Sequence, residues 1–448
     1  MTKNIKMLLA DGVEVNGKPG DNMNLAVVGP PGCGKTFSYM LSNILSDSEC
    51  SMIVDDKKGM LYRMTEETLR NKGYKVRKID FVSFSGSMKY NCFQYVKTEE
   101  DIMRLADYMI PSNGINADRY WEMSSKNLFR CLVEIARHEY GEGLNLRKFM
   151  TLFEMCGQAA DEDVRTKEES EDDVERIIKK HRNKGYSYKA MEQYEKLKNI
   201  SSRTWTCTLN SLRVELMKFC SQKLFQITRI NTCDFVNIGK QKMALFVISS
   251  DTDTSMYPFI QLMYHDIVHS LIKFADTECW ENGGRLPMHV RFFVDDFASG
   301  IRQQGFENII ANCRSRNISY MLGFQSISQL QALYGNNAMS ILDCINYQIF
   351  YSSTNIDTNY HISKMMQRPI REIYQMNNET ICLVERGKIA RFCKRVQTLN
   401  LQEYILACRK ENNVSFDTDE STEEYQNFKK DPWLKITYPD EFAYDELV

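Results

Sequence analysis

The chain has 448 residues, 43% of them hydrophobic and 26% charged, with a formal net charge of −2 at pH 7. That length exceeds one simple core and calls for two or three domains of a soluble, globular class, while the near-balance of charge leaves only a local basic channel as a route to nucleic acid. No apolar run approaches the roughly 18 residues that span a membrane, no signal peptide is visible, and fourteen cysteines without a C-x-x-C pair read as reduced thiols of a cytoplasmic protein.

The first twenty-odd residues, with Gly12, Gly17, Pro19 and Gly20, read as a polar, turn-rich lead-in. Residues 24–28 then read as a buried strand and residues 37–45 as a helix. Between them stands Gly29-Pro30-Pro31-Gly32-Cys33-Gly34-Lys35-Thr36, which fits G-x-x-x-x-G-K-[ST] at every defined position. Glycines let a loop of backbone N–H groups close around phosphate oxygens, and the helix N-terminus faces the anion. Lys35 would reach the β- and γ-phosphates of ATP, and the Thr36 hydroxyl would ligate Mg²⁺. A glycine-rich turn can match so loose a pattern without binding nucleotide. Strand, loop and helix in the required order favour the phosphate-binding reading.

Residues 50–54 read as a second strand, running into Asp55-Asp56-Lys57-Lys58-Gly59 and a helix, and residues 74–81 as a third strand. Strands alternating with helices predict an α/β fold with a mostly parallel sheet. From 99 to 223 the spacing turns helical, with few glycines and no convincing strand, which predicts an inserted all-α domain. Within it, residues 161–184 are intensely charged and read as a solvated helix and loop in preference to a partner site. Strands resume at 243–249, 290–294, 319–324 and 347–353, with helices at 257–275 and 307–316, then a hairpin of 380–385 and 389–396. The expected organisation is a first part of the nucleotide-binding domain at 1–98, the helical insert at 99–232, the second part at 233–405 and an acidic tail at 406–448.

A P-loop needs a partner carboxylate, because Mg²⁺ keeps several waters and takes few protein oxygens. Arg291-Phe292-Phe293-Val294-Asp295-Asp296 supplies a hydrophobic strand ending in acid. Asp295 would lie near the metal, and Asp296 would polarise the attacking water. Gln325, directly after the 319–324 strand, falls at the carboxyl edge of a parallel sheet, where the γ-phosphate would lie. Arg314 and Arg316 precede that strand, and a guanidinium reaching a neighbouring subunit's γ-phosphate would stabilise transition-state charge. His265 and His269 share a helical face as in H-E-x-x-H zinc sites, but Asp266 stands where the glutamate base belongs and no third ligand is spaced to help.

With these pieces in view the chain resembles the TraG-like coupling proteins of conjugation and type IV secretion, which are RecA-like hexameric motor ATPases. The resemblance covers most of the chain. It is carried by the P-loop; by Val54-Asp55-Asp56-Lys57-Lys58-Gly59-Met60-Leu61-Tyr62, similar to V-x-D-P-K-G-E-L-Y; by Tyr90-Asn91-Cys92-Phe93, like the family's Asn-Pro segment; and by Tyr120-Trp121-Glu122. Its most specific part is the block Phe293-Val294-Asp295-Asp296-Phe297-Ala298, Cys313-Arg314-Ser315-Arg316-Asn317-Ile318-Ser319, Gly323-Phe324-Gln325-Ser326-Ile327-Ser328-Gln329-Leu330 and Tyr334-Gly335.

The resemblance implies a RecA-like ATPase ring that binds single- or double-stranded DNA and delivers a relaxase-bound strand, or an effector protein, to the channel components of a type IV secretion system. Lys35, Thr36, Asp295, Asp296 and Gln325 carry over as nucleotide and catalytic residues, with Arg314 as the arginine acting in trans. Three departures stand out. Asp296 replaces the usual Glu and is one methylene shorter, Lys57 and Cys92 replace prolines, and the membrane anchor that most relatives carry ahead of the P-loop is missing. The chain therefore reads either as a soluble relative brought to the inner face of the membrane by a partner or as a fragment. Two other readings are kept: an ATP-binding adaptor with little turnover, and a soluble FtsK-like DNA translocase. The insert and the Arg-Ser-Arg to Gly-Phe-Gln-Ser block argue against the second.

Overall fold

A computed structural model describes residues 5–46, 49–111, 119–156, 173–185, 188–297, 303 and 305–397. Its strands are β1 (Ile5–Ala10), β2 (Val13–Gly17), β3 (Leu25–Val28), β4 (Cys50–Lys57), β5 (Lys75–Asp80), β6 (Met243–Ser249), β7 (His289–Val294), β8 (Ile318–Phe324), β9 (Tyr347–Tyr351), β10 (Thr380–Glu385) and β11 (Arg391–Lys394). Nine of them form one sheet in the order β11-β10-β9-β3-β8-β7-β4-β6-β5. From β9 to β5 every pairing is parallel, and the β10–β11 hairpin adds antiparallel at one edge. The central strands are continuous apolar runs, such as Leu-Ala-Val-Val in β3, because helices cover both faces of a parallel sheet and leave no solvent side.

The expected α/β sheet is present, and between β5 and β6 the described chain holds helices and turns without a strand. The long helix Arg119–Tyr140 packs on Lys189–Lys198 and Ser202–Met217, and its core is aromatic: Phe129 meets Phe149 at 5.0 Å and Tyr194 meets Trp205 edge-on at 5.7 Å. The helix Glu99–Met109 opens on a capping box between Thr98 and Asp101. These helices and the sheet belong to one compact unit, Met1–Leu399. The segment joining them is Tyr90-Asn91-Cys92-Phe93: the Tyr90 hydroxyl donates to Asp266, and the Asn91 amide donates to the Leu144 carbonyl at 2.7 Å. Half of the 161–184 charge run, residues 161–172, and all of the 406–448 tail lie outside the described residues. Among the described residues no helix is long and apolar enough to cross a membrane.

One expectation fails. The stretch read as a polar lead-in is the β1–β2 hairpin, turning at Asp11-Gly12 with Gly12 at φ 68°. Asp-Gly between alternating residues is a strong hairpin signal, and Ile5, Met7 and Leu9 are all buried. The hairpin is fastened to the helix behind the P-loop, since Leu8 N–H donates to Asn43 Oδ1 at 2.8 Å and the Asn43 amide returns a bond to Leu8 O at 3.3 Å. It also lies against the sheet, where the fully buried Arg291 of β7 donates to Lys6 O at 3.0 Å.

Candidate nucleotide site

Parallel strands end together, so their carboxyl ends make one crevice beside the point where strand order reverses. Here that crevice collects the loop after β3, Lys57 at the end of β4, Asp295 and Asp296 after β7, and Gln325 after β8. Gly34 holds φ 100°, which only glycine adopts without strain. The chain then winds through Lys35–Leu41 as a wide π-type turn before the α-helical Ser42–Ser46. The helix expected over 37–45 therefore starts earlier and looser than an α-helix.

Lys35 is buried, and its ammonium donates to the loop carbonyls of Gly29 at 2.7 Å and Pro30 at 3.1 Å. The Thr36 hydroxyl is hydrogen-bonded to Asp295 Oδ2, joining P-loop and acidic strand across 259 residues of sequence. Burial pushes the half-buried Asp295 carboxyl above the usual range; the Thr36 bond and the Lys35 charge pull it back, and the Asp296 charge adds to the rise. Asp296 sits in a left-handed turn at φ 54°, its N–H donating to Asp295 Oδ1 at 3.1 Å. Gly323 in β8 has no side chain because none fits: a Cβ there would lie 2.8 Å from Asp295 Oδ1. Lys35, Thr36, Asp295 and Asp296 are thus brought together, and Gln325 ends the neighbouring strand, its N–H bonded to Gln329 Oε1 at 2.9 Å.

Arg314 is not part of this crevice. It lies exposed in the turn Cys313–Arg316 ahead of β8, at the amino edge of the sheet. The seven residues of β8 separate it from Gln325, about 20 Å at the rise of a strand. Arg316 is committed to Asp276 through a two-armed ion pair at 3.0 and 2.9 Å, so of the two arginines Arg314 is the one with a free reach. His269 accepts a hydrogen bond from Arg104 at 2.9 Å, and burial, aided by the Arg104 charge, pushes it down to about 4. Its Nε2 lone pair is taken and its ring lies parallel to that of His265, centroids 5.8 Å apart, which does not make a zinc pair.

Sequence reasoning passed over several residues of this edge. Asp56 accepts from the N–H groups of Leu61 at 3.1 Å and Tyr62 at 2.7 Å, capping the helix Met60–Asn71. Asp55, beside it on β4, is buried against the acidic strand and pushed up to about 6 by burial, with the Lys57 ammonium 3.4 Å away pulling back. Lys57 also donates to Ser249 Oγ at 3.0 Å and lies 5.0 Å from the Tyr257 ring centroid. Arg395, which follows β11, donates to the P-loop carbonyl of Cys33 at 3.3 Å. The hairpin reading gives the edge, since the second strand of an antiparallel pair returns to where the first began, and strand order alone sets it beside the P-loop.

The donor set suits magnesium and a nucleoside triphosphate: oxygen ligands from Thr36 and Asp295, a lysine ammonium, and a loop of N–H groups on a helix N-terminus. The sequence profile of a family described as type IV secretory system conjugative DNA transfer matches residues 3–380. No curated protein matches the chain. Among solved structures, the plasmid coupling protein TrwB in complex with ADP and Mg²⁺ is similar at a TM-score of 0.63 and 15% identity, over 88% of this chain and 90% of that one. The same protein with a non-hydrolysable ATP analogue gives 0.59 at 14% identity, over 84% and 86%. VirB4 of Thermoanaerobacter pseudethanolicus gives 0.51 at 13% identity, over 90% and 98%. At such identities the likeness concerns the fold, which is the RecA-like P-loop fold expected from the sequence.

Proposed function

The chain belongs to the type IV secretory system conjugative DNA transfer family, and on that premise we propose that it is a coupling protein that hydrolyses ATP to help drive a relaxase-bound DNA strand, or an effector protein, into a secretion channel. The observation that carries this reading is the bond between Thr36 and Asp295, with Lys35 beside them at one sheet edge.

In this reading Lys35 exchanges the carbonyls of Gly29 and Pro30 for β- and γ-phosphate oxygens, a short swing that a flexible four-carbon stem permits. Thr36 and Asp295 would hold Mg²⁺, which when bound neutralises charge on those oxygens. Asp296 takes the proton of the attacking water and Gln325 orients that water. Arg314 serves the site of a neighbouring subunit, the assembly being a hexamer around DNA, and a partner protein brings the ring to the inner face of the membrane.

The test is ATP turnover over a protein concentration series, with and without single- and double-stranded DNA. Turnover rising steeply with protein concentration and with DNA is the expected result, with Lys35→Ala losing on the order of 100-fold in kcat/KM. A Lys35→Ala chain with undiminished turnover would sink the ATPase reading. The shorter Asp296 favours one alternative, an adaptor that binds ATP with little turnover; ATP binding without hydrolysis, restored by Asp296→Glu, selects it.

A further inference from the structure

We propose that Arg395 is a nucleotide contact on the α-phosphate and ribose side of the P-loop, an inference that rests on the nucleotide reading above. The topology brings it there. β10 runs back from the end of β9, with Ile381 paired to Tyr351, and β11 returns beside it, with Lys394 paired to Thr380. The residue after β11 therefore arrives at the carboxyl edge two strands beyond β9, the strand next to β3. From there the guanidinium Nη1 reaches the Cys33 carbonyl at 3.3 Å, and a Cβ on Gly34 would lie 3.0 Å from it. It lies against the stretch of loop that must close on phosphate.

The arginine is held in place and left incomplete. Its Nη2 is paired with Glu379 at 2.9 Å, its own N–H donates to the Glu379 carbonyl at 2.9 Å, and its side chain is 22% exposed. The Tyr351 hydroxyl lies beside it, and the Glu379 bond keeps it firmly protonated. Its Nε–H, shielded from solvent, has no hydrogen-bond partner among the described residues. A shielded charged donor without an acceptor is costly, and a phosphate or ribose oxygen removes that cost.

Which part of the nucleotide it meets follows from strand order. Asp295, Asp296 and Gln325 follow β7 and β8, on one side of β3; Arg395 comes from the other side. A nucleotide whose γ-phosphate faces the acidic strand extends its α-phosphate and ribose toward β9 and Arg395. The contact is therefore indifferent to the γ-phosphate.

Equilibrium binding of MgADP, a non-hydrolysable Mg·ATP analogue and magnesium pyrophosphate to the full chain, beside Arg395→Gln and Arg395→Lys, tests this. Pyrophosphate fills the phosphate loop without an α-phosphate ester or ribose. The expected result for Arg395→Gln is a loss of about 10-fold for ADP and for the ATP analogue alike, with pyrophosphate changed less than about 2-fold and Arg395→Lys intermediate. Equal losses for ADP and pyrophosphate would mean that the arginine only shapes the loop. A loss confined to the ATP analogue would place it at the γ-phosphate, and unchanged ADP binding would remove the contact; each overturns the proposal. If Arg395→Gln does not fold, the same comparison is read from Arg395→Lys. Undiminished ADP binding by Lys35→Ala would instead overturn the nucleotide reading itself, a separate outcome.

Discussion

Replacing Gly323 by alanine adds one methyl group at the place where the sheet meets the acidic strand. The new Cβ would lie 2.8 Å from Asp295 Oδ1 and 3.0 Å from Met40 Cε. The methionine tip has three rotatable bonds and can turn away. The carboxylate has less freedom. It is bonded to Thr36, and the turn that carries it is pinned by the Phe297 N–H, which donates to the Gly323 carbonyl itself at 2.7 Å. Ordinary contact would move the carboxylate by about half an ångström. Overpacking of this kind costs about 1–3 kcal/mol of stability, and a displacement of that size in a catalytic constellation costs about 10-fold in rate, or about 1.4 kcal/mol of barrier. The assay is urea unfolding beside steady-state turnover at saturating Mg·ATP, with a magnesium titration. A variant with wild-type midpoint, turnover and magnesium requirement would refute the claim that the absent side chain sets the place of Asp295.

Asp56→Ala strips two N–H groups of their acceptor at the start of the helix Met60–Asn71 and should cost about 1–2 kcal/mol in denaturant unfolding, while Asp56→Asn should recover part of it. Burial pushes Asp55 and Asp56 up to about 6, so between about pH 4 and 6 the folded chain holds more protons than the unfolded one, and stability falls as pH rises through that window before levelling. Asp55→Asn should therefore match wild type near pH 4 and exceed it by about 1–3 kcal/mol at pH 7; no gain at pH 7 would mean that the fold does not raise the Asp55 carboxyl, whose rise to about 6 already includes the pull of Lys57. Arg314→Ala mixed with Lys35→Ala should regain turnover that neither has alone, because some interfaces then pair an intact P-loop with an intact arginine; a mixture as inactive as its parts would count against action in trans.

The sheet was legible because buried parallel strands are apolar throughout: β6 runs over Met243–Ser249 as expected, and β3, β7 and β8 depart from their expected bounds by one residue at one end. The P-loop and the acidic pair were legible because each is local, a strand end followed by the residues its chemistry needs. The β1–β2 hairpin was not legible because Gly12 and Gly17 suit a loop as well as a turn, and the alternation of Ile5, Met7 and Leu9 spans only five residues. Asp56 was visible only as a motif residue; its work as a helix cap depends on two N–H groups whose direction no spacing rule gives. The approach of Arg395 to Cys33 spans 362 residues, and it follows from strand order, which the sequence does not state.

Strand direction also decides what one chain can complete. The candidate nucleotide residues follow the carboxyl ends of β3, β7 and β8, while Arg314 precedes β8 at the amino end with a whole strand between them. No side chain covers that gap: an arginine reaches about 7 Å from its Cα, against about 20 Å of strand. If Arg314 acts on phosphate, it acts on a phosphate bound elsewhere, and the amino edge of one sheet must face the carboxyl edge of another. Such a contact uses two different surfaces, so it repeats head to tail and closes into a ring or runs on as a filament. In that case turnover would be a property of the interface, and its dependence on protein concentration would carry more weight than the rate of any single preparation.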